Sequence, residues 1–304
     1  MLSDYQTCER IFEENGPFFH IFTTPPEKEL LFINNEHYKE AMNILALAVT
    51  EAKAKELAYA IMSNHIHNII AANKEQCIDC VDNLRKRLSG FVRRSGKKLP
   101  PIEINLVEII NLKQLRDEIA YVIRNPYASR VDVNPFSYQW CSGFLYFNDL
   151  LALLPSGTPA RETSIVTRRT IKHERSQDMI PSLRIWENMI VPSSFVDYRL
   201  VMSFFDNARQ FVWWTTRNVE AYIATAARLG EKGILTDEES YTVALTCTKN
   251  EFGVDSPKFL TVEQKKQLIR TLKYKYGLNN KQLSRCTSIP LPFINEMFPP
   301  ILHP

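Results

Sequence analysis

The chain has 304 residues, 45% hydrophobic side chains and a formal net charge of +3, which is the composition of a globular protein with one large or two ordinary domains. No uncharged apolar run reaches the roughly 18 residues of a membrane span, and the acidic N-terminus is unlike a signal peptide, so we expect a cytoplasmic protein. The six cysteines are scattered, and the single CxxC (Cys77, Cys80) lacks a second pair at zinc-site spacing, which favours buried reduced thiols.

The first predicted elements are a strand at residues 17–24 and a helix at residues 36–56. The strand segment is aromatic and β-branched and is followed by two prolines. The helix segment is rich in Ala, Leu, Glu and Lys and has an asparagine as its N-cap. We interpret His20, within the strand, as a core histidine; approach to a site on a neighbouring strand is the alternative.

Two short β-prone runs, residues 57–62 and 66–71, are separated by Ser-Asn and predict a hairpin-like pair of strands. Alternate side chains of an extended segment share a face, so His65 and His67 project together. Two neutral imidazoles on a rigid strand can bind one cation. The alternative is a pair of surface histidines on a half-exposed strand, because two ligands do not complete a site.

A basic amphipathic helix is predicted at residues 74–94, followed by a strand at residues 102–110. Between Asn83 and Lys98 the sequence contains no acidic residue. An unbalanced cationic face favours a phosphate-bearing partner, although a solvated helix face is the alternative. The residues predicted to contact DNA are Arg85, Lys86, Arg87, Arg93, Arg94, Lys97 and Lys98.

The order strand, helix, strand, strand, helix, strand predicts an α+β fold of the split βαβ (ferredoxin-like) type. We expect an antiparallel four-stranded sheet with helices on one face, followed by an all-helical C-terminal region. The next helix, residues 112–125, is predicted to end before Pro126. Tyr121 and Asn125 are four residues apart and therefore share one face of this helix.

Three motifs follow one another along the chain: SNHIHNII at residues 63–70, YVIRNPYASRV at 121–131 and YQWCSG at 138–143, with Tyr121 54 residues after His67. In this order and spacing they resemble the HUH single-strand DNA transposases with one catalytic tyrosine. The resemblance is closest to the branch associated with repetitive extragenic palindromes, and it covers about half of the chain. The segment before the last strand lacks the tryptophan-glutamine loop of that branch, and Cys141 stands where serine is usual.

The resemblance implies site residues and a reaction. His65, His67 and Asn125 would be metal ligands for Mg²⁺ or Mn²⁺, and Tyr121 would be the nucleophile that forms a 5′-phosphotyrosine. Single-stranded or hairpin DNA would be the partner, and a homodimer in which each tyrosine serves the other chain stays open. Tyr127 is a rival nucleophile, but it follows the proline.

Two other functions remain as alternatives. One is a domesticated, non-catalytic protein that binds hairpin DNA; the other is a metal-dependent phosphodiesterase that uses water in place of tyrosine. We interpret the YQWCSG segment as a packed aromatic turn rather than a catalytic element.

The second half of the chain has weaker patterns. The pair Trp213 and Trp214 indicates core packing, with base stacking as the alternative. Short cationic helices near the C-terminus favour duplex DNA binding over a helical domain that merely packs on the rest. Arg168, Arg169, Lys172 and Arg175 in the middle segment could also contact nucleic acid. The predicted organisation is a catalytic domain at 1–148, a linker or exposed basic segment at 149–181, a helical region at 182–255 and a helix-turn-helix at 256–304.

Overall fold

The structure is a computed structural model that describes residues 4–24, 30–129, 134–174, 178–231 and 233–299. The chain divides into two compact units, Met1–Asn218 and Val219–Pro304. The boundary between these units lies at residue 218; the boundaries expected from the sequence are residues 148, 181 and 255.

The first unit is built on a four-stranded antiparallel sheet, as predicted. The strands lie in the order β2-β3-β1-β4. Their bounds are β1 Phe18–Thr23, β2 Lys55–Ile61, β3 Ile66–Ala71 and β4 Ile104–Ile109. The helices that accompany the sheet are α1 Asp4–Asn15, α2 Asn35–Glu51, α3 Lys74–Arg94 and α4 Leu112–Ser129. The α+β prediction is confirmed; α1 was not predicted.

Local sequence signals account for the two crossover helices. The side chain of Asn34 accepts a hydrogen bond from the backbone of His37 at the start of α2, and Asn73 and Gln76 form a capping box at the start of α3. α2 ends five residues earlier than predicted, and Lys53, in the left-handed region at φ 55°, lies in the turn that leads into β2. This early end brings Glu56 into the sheet.

Helices cover both faces of the sheet. α2 and α3 pack against each other, and Cys80 of α3 lies near Glu56 of β2, on the face where Asn68 contacts Glu56. Successive residues of a strand point to opposite faces, so His67 of β3 faces the other side, where α4 lies. The sequence predicted helices on one face of the sheet, and α2 and α3 form that layer. α4 covers the opposite face, which the sequence did not indicate.

The prediction that α4 ends before Pro126 is wrong, because the helix continues through Pro126 to Ser129. Proline lacks the backbone N–H that would bond to the carbonyl of Val122, but its fixed φ is compatible with helix. One lost hydrogen bond near the end of the helix does not stop it.

The segment predicted as a linker instead packs on the first unit. It contributes β5 Thr158–Pro159 and α5 Ile165–Lys172, and β5 pairs with β6 Arg184–Trp186, which pairs with β7 Met189–Ile190. Ala160 and Ile171 are buried in the core. These apolar residues are too widely spaced to produce a periodic pattern, which explains why the sequence analysis missed the packing. Arg175, named as a nucleic-acid contact, lies outside the described residues.

Helices complete both units. The first unit ends with α6 Tyr198–Ser203 and α7 Ala208–Thr216. The second contains α8 Val219–Arg228, α9 Asp237–Phe252, α10 Val262–Tyr274, α11 Asn280–Thr287 and α12 Leu291–Met297. The described residues of the second unit are helical, as predicted for the C-terminal region, whereas the helical region expected at residues 182–255 also contains β6 and β7. A role in duplex binding stays a prediction. Within the described ranges, no helix combines the length and apolarity needed to cross a bilayer.

All six cysteines are free and buried, and burial raises the pKa of Cys77 to about 11 and that of Cys141 to about 12. An ordinary thiol has a pKa of about 8.5, and only its thiolate reacts. We therefore expect native protein at pH 8 to incorporate almost no iodoacetamide within the time that labels six thiols per chain in denaturant. Mass spectrometry counts the thiols labelled in the native and in the denatured protein. Rapid labelling of the native chain would contradict the burial of these thiols.

Candidate active site

Two histidines on neighbouring strands form the floor of the site. β1 and β3 pair so that Phe22 lies opposite His67 and His20 lies opposite Ile69. His20 and His67 are fully buried, and His20 Nε2 lies 3.0 Å from His67 Nδ1. His20 is thus a core histidine, as interpreted, and it also reaches the histidine motif, which was the alternative.

His65 lies in the connection that enters β3. Its Nδ1 is 2.7 Å from the side-chain oxygen of Asn64, and its ring centroid is 4.9 Å from that of His67. A ring nitrogen of each histidine lies within 4.8 Å of one on the other. The strand is not half-exposed, because every residue of β3, His67 included, is buried; His65, just before the strand, is partly buried.

α4 supplies three side chains from one of its faces. The Tyr121 ring centroid lies 5.7 Å from that of His67, and Tyr121 is 2% exposed. The Asn125 side chain hydrogen-bonds to the His65 ring. One turn before Tyr121, Glu118 Oε2 lies 2.7 Å from His20 Nδ1. The structure therefore brings together His65, His67, Tyr121 and Asn125, the residues that the resemblance implied.

Sequence reasoning missed Glu118. Its only sequence signal is its position on α4, three residues before Tyr121, and an acidic residue at such a position is common on an exposed helix face. The carboxylate is fully buried, and its contact with His20 depends on the docking of α4 against β1.

Burial controls the charge of the two motif histidines. It lowers the pKa of His65 to about 4, with the hydrogen bond between the His65 ring and Asn125 acting in the opposite direction. Burial, together with the nearby His65 and His20, lowers the pKa of His67 well below its ordinary value. Both rings are therefore neutral near pH 7, which is the form that binds metal ions.

The donor set fits a divalent cation. His65 and His67 offer two neutral nitrogens, and Asn125 offers an amide oxygen beside His65. A mixed set of nitrogen and oxygen donors with further coordination positions left for water or phosphate suits Mg²⁺ or Mn²⁺ better than a closed structural zinc site.

The YQWCSG segment holds β2 in place, which agrees with its interpretation as a packed turn. Trp140 stacks on Tyr38 with ring centroids 5.1 Å apart. Ser142 Oγ accepts a hydrogen bond of 2.9 Å from the backbone N–H of Tyr59, and Tyr138 Oη donates to the carbonyl of Ile61. The segment thus supplies hydrogen-bond partners for backbone groups of β2, which is an edge strand of the sheet that carries the histidines.

Replacing Gly143 with alanine is expected to destabilise the first unit by about 1–3 kcal/mol, because overpacking strains a tight core. A Cβ at this position would lie 2.6 Å from the backbone oxygen of Pro135 and 3.0 Å from Cγ2 of Ile123 in α4. Chemical denaturation measures the loss. In the control Gly90→Ala, the added carbon meets only the flexible end of Arg94, so stability should stay equal or rise. Equal stability of the two variants would contradict the packing role of Gly143.

The basic face of α3 is less unbalanced than its sequence suggested. Arg87 forms a 2.6 Å ion pair with Glu51, and Arg94 forms one of 2.5 Å with Glu40. Both acids belong to α2, so counting charges along α3 alone missed them. Lys97 donates to backbone carbonyls at Leu30 and Leu31. DNA contact remains a prediction for the set Arg85, Lys86, Arg87, Arg93, Arg94, Lys97 and Lys98, of which Arg87 and Arg94 have these acidic partners.

The two neighbouring tryptophans have different surroundings. Trp214 Nε1 donates a 2.7 Å hydrogen bond to Asp117 of α4, whereas Trp213 is 49% exposed. Core packing therefore describes Trp214 alone.

Comparison with known proteins gives one match. No family model and no curated protein matches the chain. Among solved structures, the chain is similar to a REP-associated tyrosine transposase bound to a REP hairpin, with 15% identity, a TM-score of 0.37, and coverage of 46% of this chain and 83% of that chain.

Proposed function

We propose that the chain is a transposase-like enzyme that cleaves and joins single-stranded DNA with a divalent metal and uses Tyr121 as its nucleophile. The observation that carries this proposal is the position of Tyr121, whose ring lies 5.7 Å from that of His67 although the two are 54 residues apart in sequence. The order and spacing of the three motifs supports the same assignment.

The metal site would be formed by His65, His67 and Asn125. A divalent cation held there would stabilise negative charge on the oxygens of the scissile phosphate. Neutral imidazoles in a buried site leave the cation as the dominant local charge, which suits the binding of an anionic phosphodiester.

Tyr121 would attack the phosphorus atom of the scissile phosphate. A bond forms between Oη of Tyr121 and phosphorus, and the bond between phosphorus and the 3′-oxygen breaks. A phenol has a pKa of about 10, so its proton must leave as attack proceeds, and the departing 3′-oxygen takes up a proton. Because the product is again a phosphodiester, attack by a 3′-OH on it joins strands without an external energy source.

The position of a radioactive label tests this reaction. Single-stranded oligonucleotides that carry a hairpin are incubated with the protein and Mn²⁺ or Mg²⁺, then separated in SDS. The 3′-labelled fragment should migrate with the protein, and the 5′-labelled fragment should be free, because the tyrosine binds the 5′-phosphate. EDTA should abolish both products.

Other outcomes of this experiment identify the alternatives. Nicking without a covalent adduct would indicate a phosphodiesterase that uses water. Hairpin binding without nicking, in either metal, would indicate a non-catalytic binding protein. A 5′-labelled fragment attached to the protein would contradict the proposed polarity.

A further inference from the structure

Glu118, His20 and His67 form a continuous buried chain of hydrogen bonds across α4, β1 and β3. Glu118 Oε2 lies 2.7 Å from His20 Nδ1, and His20 Nε2 lies 3.0 Å from His67 Nδ1. All three side chains are fully buried. We propose that Glu118 and His20 are positioning residues that hold His67 in its Nδ1–H tautomer and so keep the Nε2 lone pair for the cation. This inference rests on the cation site of the proposed function.

The direction of each hydrogen bond follows from the chemistry of the groups. A carboxylate can only accept, so Nδ1–H of His20 donates to Glu118. With a neutral His20, whose Nδ1 carries the proton, the other nitrogen must accept, so the proposal assigns His20 Nε2 as an acceptor. Its partner, Nδ1 of His67, must then carry the proton. The remaining nitrogen of His67, Nε2, has a lone pair and can bind a metal ion.

His65 contacts two amide side chains: its Nδ1 lies 2.7 Å from the side-chain oxygen of Asn64, and its ring also hydrogen-bonds to Asn125. The buried chain through His20 therefore acts on His67 alone. A carboxylate behind a ligating histidine fixes its tautomer and raises its basicity, and the loss of such a partner typically weakens metal binding about 10–100-fold.

The other face of the same sheet provides a matched control. Glu56 of β2 is fully buried like Glu118, and its Oε2 accepts a hydrogen bond of 3.3 Å from Asn68. Burial raises the pKa of Glu56 well above its ordinary value, and the hydrogen bond from Asn68 acts in the opposite direction. Glu56→Gln thus makes the same amino-acid substitution as Glu118→Gln at the same burial, but away from His20.

The tautomers can be observed directly in metal-free protein labelled with ¹⁵N-histidine. Long-range ¹H–¹⁵N correlation spectra should show His67 protonated at Nδ1 and unprotonated at Nε2. In His20→Leu, which removes the acceptor, and in Glu118→Gln, whose amide can present an N–H or an oxygen to His20, the Nε2–H form of His67 should become populated. In Glu56→Gln the spectrum of His67 should match that of the wild type. A wild-type spectrum with the proton on Nε2 of His67 would overturn the inference, even if every variant failed to fold.

Mn²⁺ affinity gives the second measurement, by calorimetry on the full chain. We expect binding about 10–100-fold weaker in His20→Leu and Glu118→Gln, with no change in Glu56→Gln. Equal affinity in all four proteins would contradict the positioning role. Absence of Mn²⁺ binding by the wild type would instead contradict the proposed cation site, and the spectra would still decide the tautomer.

Discussion

Tyr121→Phe is expected to abolish the covalent protein–DNA adduct, with a loss of nicking on the order of 10³-fold or more. The substitution removes only the hydroxyl group, and the ring that lies against His67 and His20 is retained. The fold and the affinity for hairpin DNA should therefore remain. Denaturing gels with 3′-labelled DNA measure the adduct, and fluorescence anisotropy measures DNA binding.

The control for this variant is Tyr127→Phe. Tyr127 lies after Pro126 on α4, and the guanidinium of Arg124 lies 5.7 Å from its ring centroid. Because α4 continues through Pro126, Tyr127 is held on the same helix, two residues beyond Asn125. We expect Tyr127→Phe to form the adduct at the wild-type rate. Loss of the adduct in this variant, with retention in Tyr121→Phe, would assign the nucleophile to Tyr127.

His65→Gln is expected to reduce metal-dependent nicking by about 10²–10³-fold, because it removes one of the proposed ligands and thereby the electrostatic stabilisation of the phosphate. His65 lies in the connection before β3 and outside the strand pairing, so the sheet should form normally. Nicking rates over a range of Mn²⁺ concentrations provide the measurement, and circular dichroism checks the fold.

His173→Gln provides the matched substitution in the same unit. Its Nε2 lies 3.1 Å from Glu40 of α2, and it has no role in the proposed chemistry. We expect this variant to nick at the wild-type rate with unchanged dependence on Mn²⁺. A similar loss in both variants would mean that the effect of His65→Gln is structural rather than catalytic.

Short-range pattern was enough to predict most elements of the sheet domain. The alternation of residues around His65 and His67 predicted β3 with its observed bounds, Ile66–Ala71, and α3 likewise matches its predicted range, Lys74–Arg94. The four-residue spacing of Tyr121 and Asn125 placed them on one helix face. These features depend only on backbone periodicity and capping, which neighbouring residues determine.

Other features depend on which elements meet, and there the sequence was insufficient. The register of β1 on β3 and the docking of α4 place His20 and Glu118 behind His67. Acids from α2 neutralise Arg87 and Arg94, which appear unbalanced in the sequence of α3.

The sequence by itself therefore determined the motif residues and the faces of the elements that carry them. Which element packs against each of those faces was decided only by the tertiary structure, because strand register and helix docking result from packing over the whole unit. The buried chain from Glu118 through His20 to His67 joins three elements that are far apart in sequence, and no local pattern encodes it.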